Sequence, residues 1–252
     1  MLPTPDTSHV AYERIYEPAE DSFLFLDTLS SASESTFLQS RFCKSSSSTS
    51  PAPLIVEIGP GSGVVIAFIT AHAKPILGTQ TVCTAAIDIN AHACAATRET
   101  ACRASSSHPD TTACFIGAAQ GDLTTPLRDR CVDVLIFNPP YVPTPDLPAR
   151  EGLEPNRGSL TYEEDSYLLA LSYAGGRDGM ETTDRLLDSL PRVISDRGCA
   201  YVLLCAQNRP EEVKQRVRSM EGGGDQGWKV ETVGSSGKQA GWEKLQIIRI
   251  WR

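Results

Sequence analysis

The sharpest chemical signal in the chain is the run Asn138-Pro139-Pro140-Tyr141, which follows the apolar stretch Val132 to Phe137. The asparagine therefore emerges at the carboxyl end of a strand. Two successive prolines fix φ at about −65° and remove two N–H donors, so the Asn138 amide and a main-chain carbonyl are presented as rigid acceptors. Upstream, Val56-Glu57-Ile58-Gly59-Pro60-Gly61-Ser62-Gly63 leads from an apolar strand into a helix, where missing side chains let a ligand approach backbone N–H groups. The spacing meets neither phosphate-binding pattern. A dinucleotide fingerprint needs glycine where Val64 stands, and a Walker loop needs Gly-Lys-Ser or Gly-Lys-Thr. Glu57 would also repel a pyrophosphate. Asp88, followed by Ile89, ends the next apolar run and can grip ribose hydroxyls. Gly121-Asp122-Leu123 follows a third run, where the acid can accept from an adenine amino group while Leu123 flanks the ring. Three acids at three successive strand ends favour a cationic ligand built on adenosine without phosphate, a description that S-adenosylmethionine meets. Alone, Asp88 or Asp122 reads more readily as a helix cap or a solvated charge.

The elements that must position these residues are legible as alternating apolar runs and amphipathic stretches. Strands are expected at Leu54 to Ile58, Val82 to Asp88, Ala113 to Ile116, Val132 to Phe137, Cys199 to Cys205 and Leu245 to Trp251, with a weaker one at Trp228 to Val233. Helices are expected from Pro18 to Leu29, with Phe23, Leu26 and Leu29 on one stripe and Glu20 and Asp21 in the favoured first turn. Further helices follow the glycine turn through Ala73, start at Ala91, and cover Glu181 to Ile194 and Glu211 to Met220. Such alternation predicts an α/β fold with a mostly parallel sheet covered by helices on both faces, its ligand crevice at the carboxyl ends of the strands near the topological switch. Residues 1–15 read as a tail, 45–53 (SSSSTSPAP within them) and 104–110 as low-complexity loops, and none as a domain boundary, so 1–252 is expected to form one domain.

With 40% hydrophobic and 21% charged residues in 252, wholesale disorder and fibrous classes are excluded. The net charge of −8 opposes the phosphate attraction on which non-specific nucleic-acid binding rests, and favours a partner with a basic face. The stretch Val64 to Ala73 is too short to cross a bilayer. Eight cysteines contain no C-x-x-C pair, so no metal site is expected; Cys131, Cys199 and Cys205 read as small buried hydrophobes and the thiols as free.

Taken together, these motifs resemble those of the seven-stranded, Rossmann-like class I methyltransferases, and specifically the HemK-like glutamine methyltransferases that modify translation release factors. The similarity runs through Tyr16-Glu17-Pro18-Ala19-Glu20-Asp21-Ser22, the glycine turn, Asp88, Asp122, Asn138 to Tyr141, and Ala174-Gly175-Gly176-Arg177-Asp178-Gly179. The Y-E-P-A-E-D opening and the compact length resemble the eukaryotic and archaeal branch. The resemblance implies S-adenosylmethionine as cofactor and, as substrate, the glutamine of the Gly-Gly-Gln motif of a class I release factor. It implies that Glu57 and Gly59 hold the methionine portion, Asp88 the ribose, Asp122 and Leu123 the adenine, and Ser22 the cofactor's tail, with Gly61, Gly63, Ile89 and Asn138 also at the cofactor. The family pattern has Thr at Ser22, and the hydroxyl is kept. It also implies that Asn138, Pro139, Pro140 and Tyr141 hold the target amide, with the Asn138 oxygen and the Pro139 carbonyl accepting its two N–H groups and Tyr141 as an aromatic wall. Residues 142–166 are then the substrate loop. The same four residues could hold the exocyclic amine of adenine in DNA or RNA, and a protein lysine is another acceptor; a silent scaffold is disfavoured by the intact motifs.

The seven-stranded arrangement would place Ala113-Cys114-Phe115-Ile116 at the sheet edge, apolar and without the Lys or Pro that blunts exposed edges. The resemblance implies that this edge receives a strand from a small zinc-binding activator subunit, giving an obligate heterodimer that Lys at Phe115 and Ile116 would break. A cytoplasmic enzyme with a nuclear pool, touching neither membrane nor DNA directly, is the corresponding expectation.

Overall fold

In a computed structural model that describes residues 2–43, 51–148, 162–223, 227–236 and 244–252, the apolar runs assemble into one sheet. Its strands are β1 (Leu54–Ile58), β2 (Cys83–Asp88), β3 (Cys114–Gln120), β4 (Val132–Phe137), β5 (Ile194–Cys205), β6 (Lys229–Ser235) and β7 (Leu245–Trp251), in the order β3-β2-β1-β4-β5-β7-β6. Pairing from β3 through β5 is parallel, whereas β7 runs antiparallel to both β5 and β6. The helices are α1 (Glu20–Leu29), α2 (Ala32–Phe42), α3 (Val64–Ala71), α4 (Ala73–Leu77), α5 (Ala91–Ser107), α6 (Tyr162–Tyr173), α7 (Glu181–Val193) and α8 (Pro210–Arg218). Side chains that alternate along a strand enter two separate cores. On β5, Cys199, Tyr201, Leu203 and Cys205 face the core shared with α1 to α4, and Ala200, Val202 and Leu204 face the one shared with α7 and α8. Burial on both faces explains why the central strands read as mostly apolar runs, interrupted by the buried acids Glu57 in β1 and Asp133 in β4.

Several boundaries differ from the sequence expectation for local reasons. In α1 the buried stripe is Asp21, Ser22, Phe25, Leu26, Thr28 and Leu29, while Phe23 is exposed, because the helical period carries it past the edge of the arc those residues cover. The helix after the glycine turn breaks at His72 into α3 and α4. β5 begins at Ile194, directly after α7, five residues before Cys199. Helices α2 and α6 occupy stretches where no helix is expected from the sequence, and α6 takes up the end of the proposed 142–166 loop, of which 149–161 lie outside the described residues. The segment before residue 16 is not a loose tail: Val10 and Ile15 are buried with Ala93 of α5, and the Pro3 carbonyl oxygen accepts from His72 Nε2 at 2.9 Å.

β3 lies at the sheet edge, and runs four residues beyond Ile116 because Gly117-Ala118-Ala119-Gln120 carries no apolar signal yet still pairs with β2. A register shift between Phe115 and Gly117 leaves Ile116 unpaired and 63% exposed, whereas Phe115 packs inward near Ala67, Ala71, Ala101 and Ala104. The two side chains therefore do not form one outward surface, and of the pair only Ile116 is exposed.

Candidate active site

The sheet order reverses between β1 and β4, which both leave the switch point with their carboxyl ends at one cleft of about 490 Å³. Its wall includes Ser22, Glu57, Gly59, Gly61, Asp88, Ile89, Asp122, Leu123 and all four residues of Asn138 to Tyr141. Gly63 does not line it. This glycine caps α3 with φ of 79°, and a Cβ there would come within 2.6 Å of the Thr97 backbone, so its work is the approach of α3 to α5.

Two acids organise the glycine turn before any ligand is considered. Asp88 Oδ2 accepts from Gly61 N–H at 3.2 Å and Oδ1 from Asn90 N–H at 2.8 Å, tying the turn to the start of α5. Glu57 Oε2 accepts from the Ile66 N–H at 2.8 Å, in the first turn of α3. Burial pushes the Glu57 carboxyl up to about 8, opposed by the Ile66 bond and reinforced by the charge of Asp88; burial likewise lifts Asp88 to about 6, opposed by its backbone donors. No basic side chain among the described residues forms an ion pair with either acid. A buried acidic pair of this kind suits a cation and repels phosphate. Asp122 is differently placed, half-exposed and paired with Arg185 of α7 at 2.5 Å, so part of its accepting capacity is already committed.

At the other end of the cleft the Asn138 side chain is fixed by a partner that the sequence did not single out for this task. Asp21, in the first turn of α1, accepts from Asn138 Nδ2 at 3.0 Å. A carboxylate offers no donor, so the amide must turn its NH2 towards Asp21, leaving Oδ1 buried and without a partner among the described residues. Ser22 is tied to the same carboxylate, its N–H at 2.6 Å and its hydroxyl at 3.2 Å from Asp21 Oδ1.

The Ala174 to Gly179 segment braces the loop from below. Gly175 N–H donates to Val142 O at 2.8 Å, and Val142 N–H donates to Tyr173 O at 3.0 Å. Gly179 has φ of 68°, and a Cβ there would fall on the Tyr141 carbonyl oxygen, so both conformation and space demand glycine. Asn208, after β5, joins the pieces: Nδ2 donates to Tyr141 O at 3.1 Å and to Asp178 O at 2.9 Å, while Oδ1 accepts from Cys205 N–H at 2.8 Å. What reads in sequence as a flexible turn with a helix cap is a bracket under the asparagine loop. Asp21, Asn208 and Arg185 were not singled out for these roles because each reaches the cleft from an element distant in sequence.

The sheet order, the acids at the ends of β1 and β2 and the asparagine loop after β4 define a class I methyltransferase, whose methyl donor is S-adenosylmethionine. The residues fit that donor: the cleft has the volume, its acidic end suits a cation, and its far end holds an unpaired acceptor. No family model matches the chain. It is 34% identical to mouse Methyltransferase HEMK2, over 98% of this chain and 96% of that protein, and equally to the human protein. It is 31% identical to the eRF1 methyltransferase catalytic subunit mtq2 of Schizosaccharomyces pombe, over 100% and 96% of the two chains. The solved E. cuniculi Mtq2–Trm112 complex, responsible for methylation of the termination factor eRF1, shares the fold with a TM-score of 0.51 at 21% identity, covering 95% of this chain and 99% of that one. The chain belongs to the HEMK2 and Mtq2 family of methyltransferases. Among the described residues no helix is long and apolar enough to cross a membrane.

Proposed function

We propose that the chain transfers a methyl group to the side-chain amide nitrogen of the glutamine in the Gly-Gly-Gln motif of the class I release factor eRF1, in the cytoplasm, as the catalytic half of a heterodimer. The observation that carries this reading is Asn138, a residue of the cleft wall whose NH2 is taken by Asp21 and whose oxygen is left buried and without a partner among the described residues. An amide nitrogen is a poor nucleophile because its lone pair is delocalised into the carbonyl, and side-chain bases are too weak to remove its proton in advance. Positioning must therefore supply most of the acceleration. Asn138 Oδ1 and the Pro139 carbonyl each accept one N–H of the target amide, which turns the nitrogen lone pair towards the methyl donor. Both bonds strengthen as positive charge develops on nitrogen. S-adenosylmethionine, when bound, supplies a methyl group activated by a positively charged sulfur. Glu57 and the glycine turn hold its methionine portion, Asp88 with Ile89 its ribose, Leu123 and the part of Asp122 not taken by Arg185 its adenine, and Ser22 its tail.

Edge strand β3 is the surface proposed for the small zinc-binding activator subunit, and Ile116 is the side chain positioned to meet it. The decisive experiment incubates the co-expressed pair with labelled cofactor and either eRF1, eRF1 with Ala in place of the motif glutamine, histone, or nucleic acid. Labelling is expected to require that glutamine. Equal labelling of RNA or DNA would transfer the reading to an adenine amine, and labelling of a lysine-bearing protein alone to an ε-amine.

A further inference from the structure

Asp21 is 3% exposed, and none of the ion pairs among the described residues includes it. Its hydrogen-bond donors are Asn138 Nδ2, at 3.0 Å from Oδ2, and the N–H and hydroxyl of Ser22, both on Oδ1. A buried carboxylate held by neutral donors opposes its own desolvation, so an isosteric apolar residue would be the simpler way to fill this place. What the carboxylate does that an apolar residue cannot is dictate the orientation of an amide. Rotated by half a turn about its terminal bond, Asn138 would put its NH2 where its unpartnered oxygen now lies, and a donor would meet the N–H2 of the acceptor substrate. A negative charge behind Nδ2 also polarises the amide and makes Oδ1 a better acceptor.

We infer that Asp21 is the positioning residue of the methyl transfer, locking the Asn138 oxygen towards the acceptor nitrogen and strengthening it. The inference rests on the reading of Asn138 as the group that accepts from the target amine, and goes beyond it by assigning a second residue, from α1, on which that group depends. Asp21 itself touches neither reacting atom.

Asp21→Asn is nearly isosteric and keeps an acceptor for Ser22, but lets the two amides at 21 and 138 pair in either sense. In the full chain co-expressed with the activator subunit it is expected to lower kcat about 30-fold, with KM for S-adenosylmethionine within about threefold of the parent. In an Asn138→Ala background the same substitution is expected to have no further effect, because there is no amide left to orient. Combining Asp21→Asn with Asn138→Asp reverses the polarity of the contact: the new amide donates to the new carboxylate, whose second oxygen takes the place of the unpartnered Asn138 oxygen. This double variant is expected to be at least about tenfold more active than Asn138→Asp alone, in which two carboxylates confront each other. Calorimetric cofactor binding and the unfolding midpoint of each variant accompany the kinetics. If Asp21→Asn keeps kcat within about threefold while Asn138→Ala abolishes transfer, the inference fails and the reading of Asn138 survives. An equal loss from Asp21→Asn with and without the Asn138 amide would assign a structural role only, and a loss confined to cofactor affinity would make Asp21 a cofactor contact; either overturns the inference. If Asn138→Ala is itself active, the reading of the site fails first.

Discussion

The two ends of the cleft are built on opposite principles. The end formed by β1, β2 and the glycine turn relies on charge: Glu57 and Asp88 are buried carboxylates lifted by desolvation, and each is pinned by backbone N–H donors. The end formed by the Asn138 loop relies mainly on fixed dipoles: backbone carbonyls and side-chain amides cross-linked through Asn208, Val142 and the glycines at 175 and 179, with Asp21 the one carboxylate bonded to the Asn138 amide. The difference follows from the chemistry each must do. A cationic ligand is bound by charge, which tolerates small displacements because Coulomb energy falls slowly with distance. A neutral amide must be oriented, and hydrogen bonds that orient are effective only within a narrow range of angles. The charged end should therefore answer to pH and the dipolar end to geometry.

Asn138→Ala tests the dipolar end most severely. Removing an acceptor aimed at the reacting nitrogen is expected to lower kcat by about 10³-fold, roughly 4 kcal/mol of transition-state stabilisation, with cofactor affinity unchanged within about threefold. Steady-state transfer to eRF1 and calorimetric cofactor binding on one preparation check both halves of that statement. Next comes Gly179→Ala, which touches no ligand. The added methyl group would meet the Tyr141 carbonyl oxygen and must adopt a positive φ, so the loop above it has to shift. A displacement near 1 Å in the asparagine loop is expected to lower kcat by about 10²-fold while cofactor binding persists. Parent-like kcat in this variant would mean that the bracket serves folding alone.

Asp88→Ala probes the charged end, where the expected effect is on affinity instead of turnover. Losing a charged acceptor for ribose hydroxyls is expected to weaken cofactor binding by about 1–3 kcal/mol, with saturating kcat within a few-fold of the parent. Because Asp88 also anchors Gly61 and Asn90, hydrogen exchange of those two amides should quicken in the same variant. Unchanged affinity would confine Asp88 to organising the turn.

The parts of the fold and site that were legible in the sequence are those where one local run carries the whole instruction. β4 and its loop are such a case: six buried residues, five of them apolar, then Asn-Pro-Pro-Tyr, with no other reading of comparable economy. The Gly117 half of β3 is the converse. Small and polar residues carry no period, and the segment is a strand only because the β2 edge offers it hydrogen-bond partners. α2 escaped notice because its buried set, Glu34, Leu38 and Phe42, includes a carboxylate whose burial makes sense only with Arg249 and Tyr201 in view, at 2.7 and 2.8 Å. The same applies to the site. Glu57, Asp88 and Asn138 announce themselves because each directly follows or ends an apolar run, but Asp21 acts across 117 residues of sequence, where periodicity has nothing to say.

The last and smallest effect expected concerns pH, and it should separate the two ends most cleanly. Glu57, with its carboxyl near 8, and Asp88, near 6, hold protons in the folded chain at pH values where an unfolded chain has released them. The native state binds more protons than the unfolded one, so the contribution of these groups to stability declines as pH rises from the ordinary carboxylate range through about 6 for Asp88 and about 8 for Glu57. Cofactor affinity should move the opposite way over the same range. The proposed contact of Glu57 with the cofactor's ammonium favours the ionised acid, so binding must expel its proton. Affinity is expected to rise roughly tenfold between about pH 6 and pH 7.5, then flatten as the ligand's own α-amino group, with a pKa of about 8, begins to deprotonate. Calorimetry at pH 7 in two buffers of different ionisation enthalpy should register release of most of one proton, and Glu57→Gln should remove both that proton and the rise. At the dipolar end Asn138, Asn208 and Gly179 are themselves without a titratable group. At saturating cofactor, kcat should therefore lack the affinity's dependence on Glu57 protonation; a kcat that rises in parallel and loses its rise in Glu57→Gln would show that the two ends are coupled.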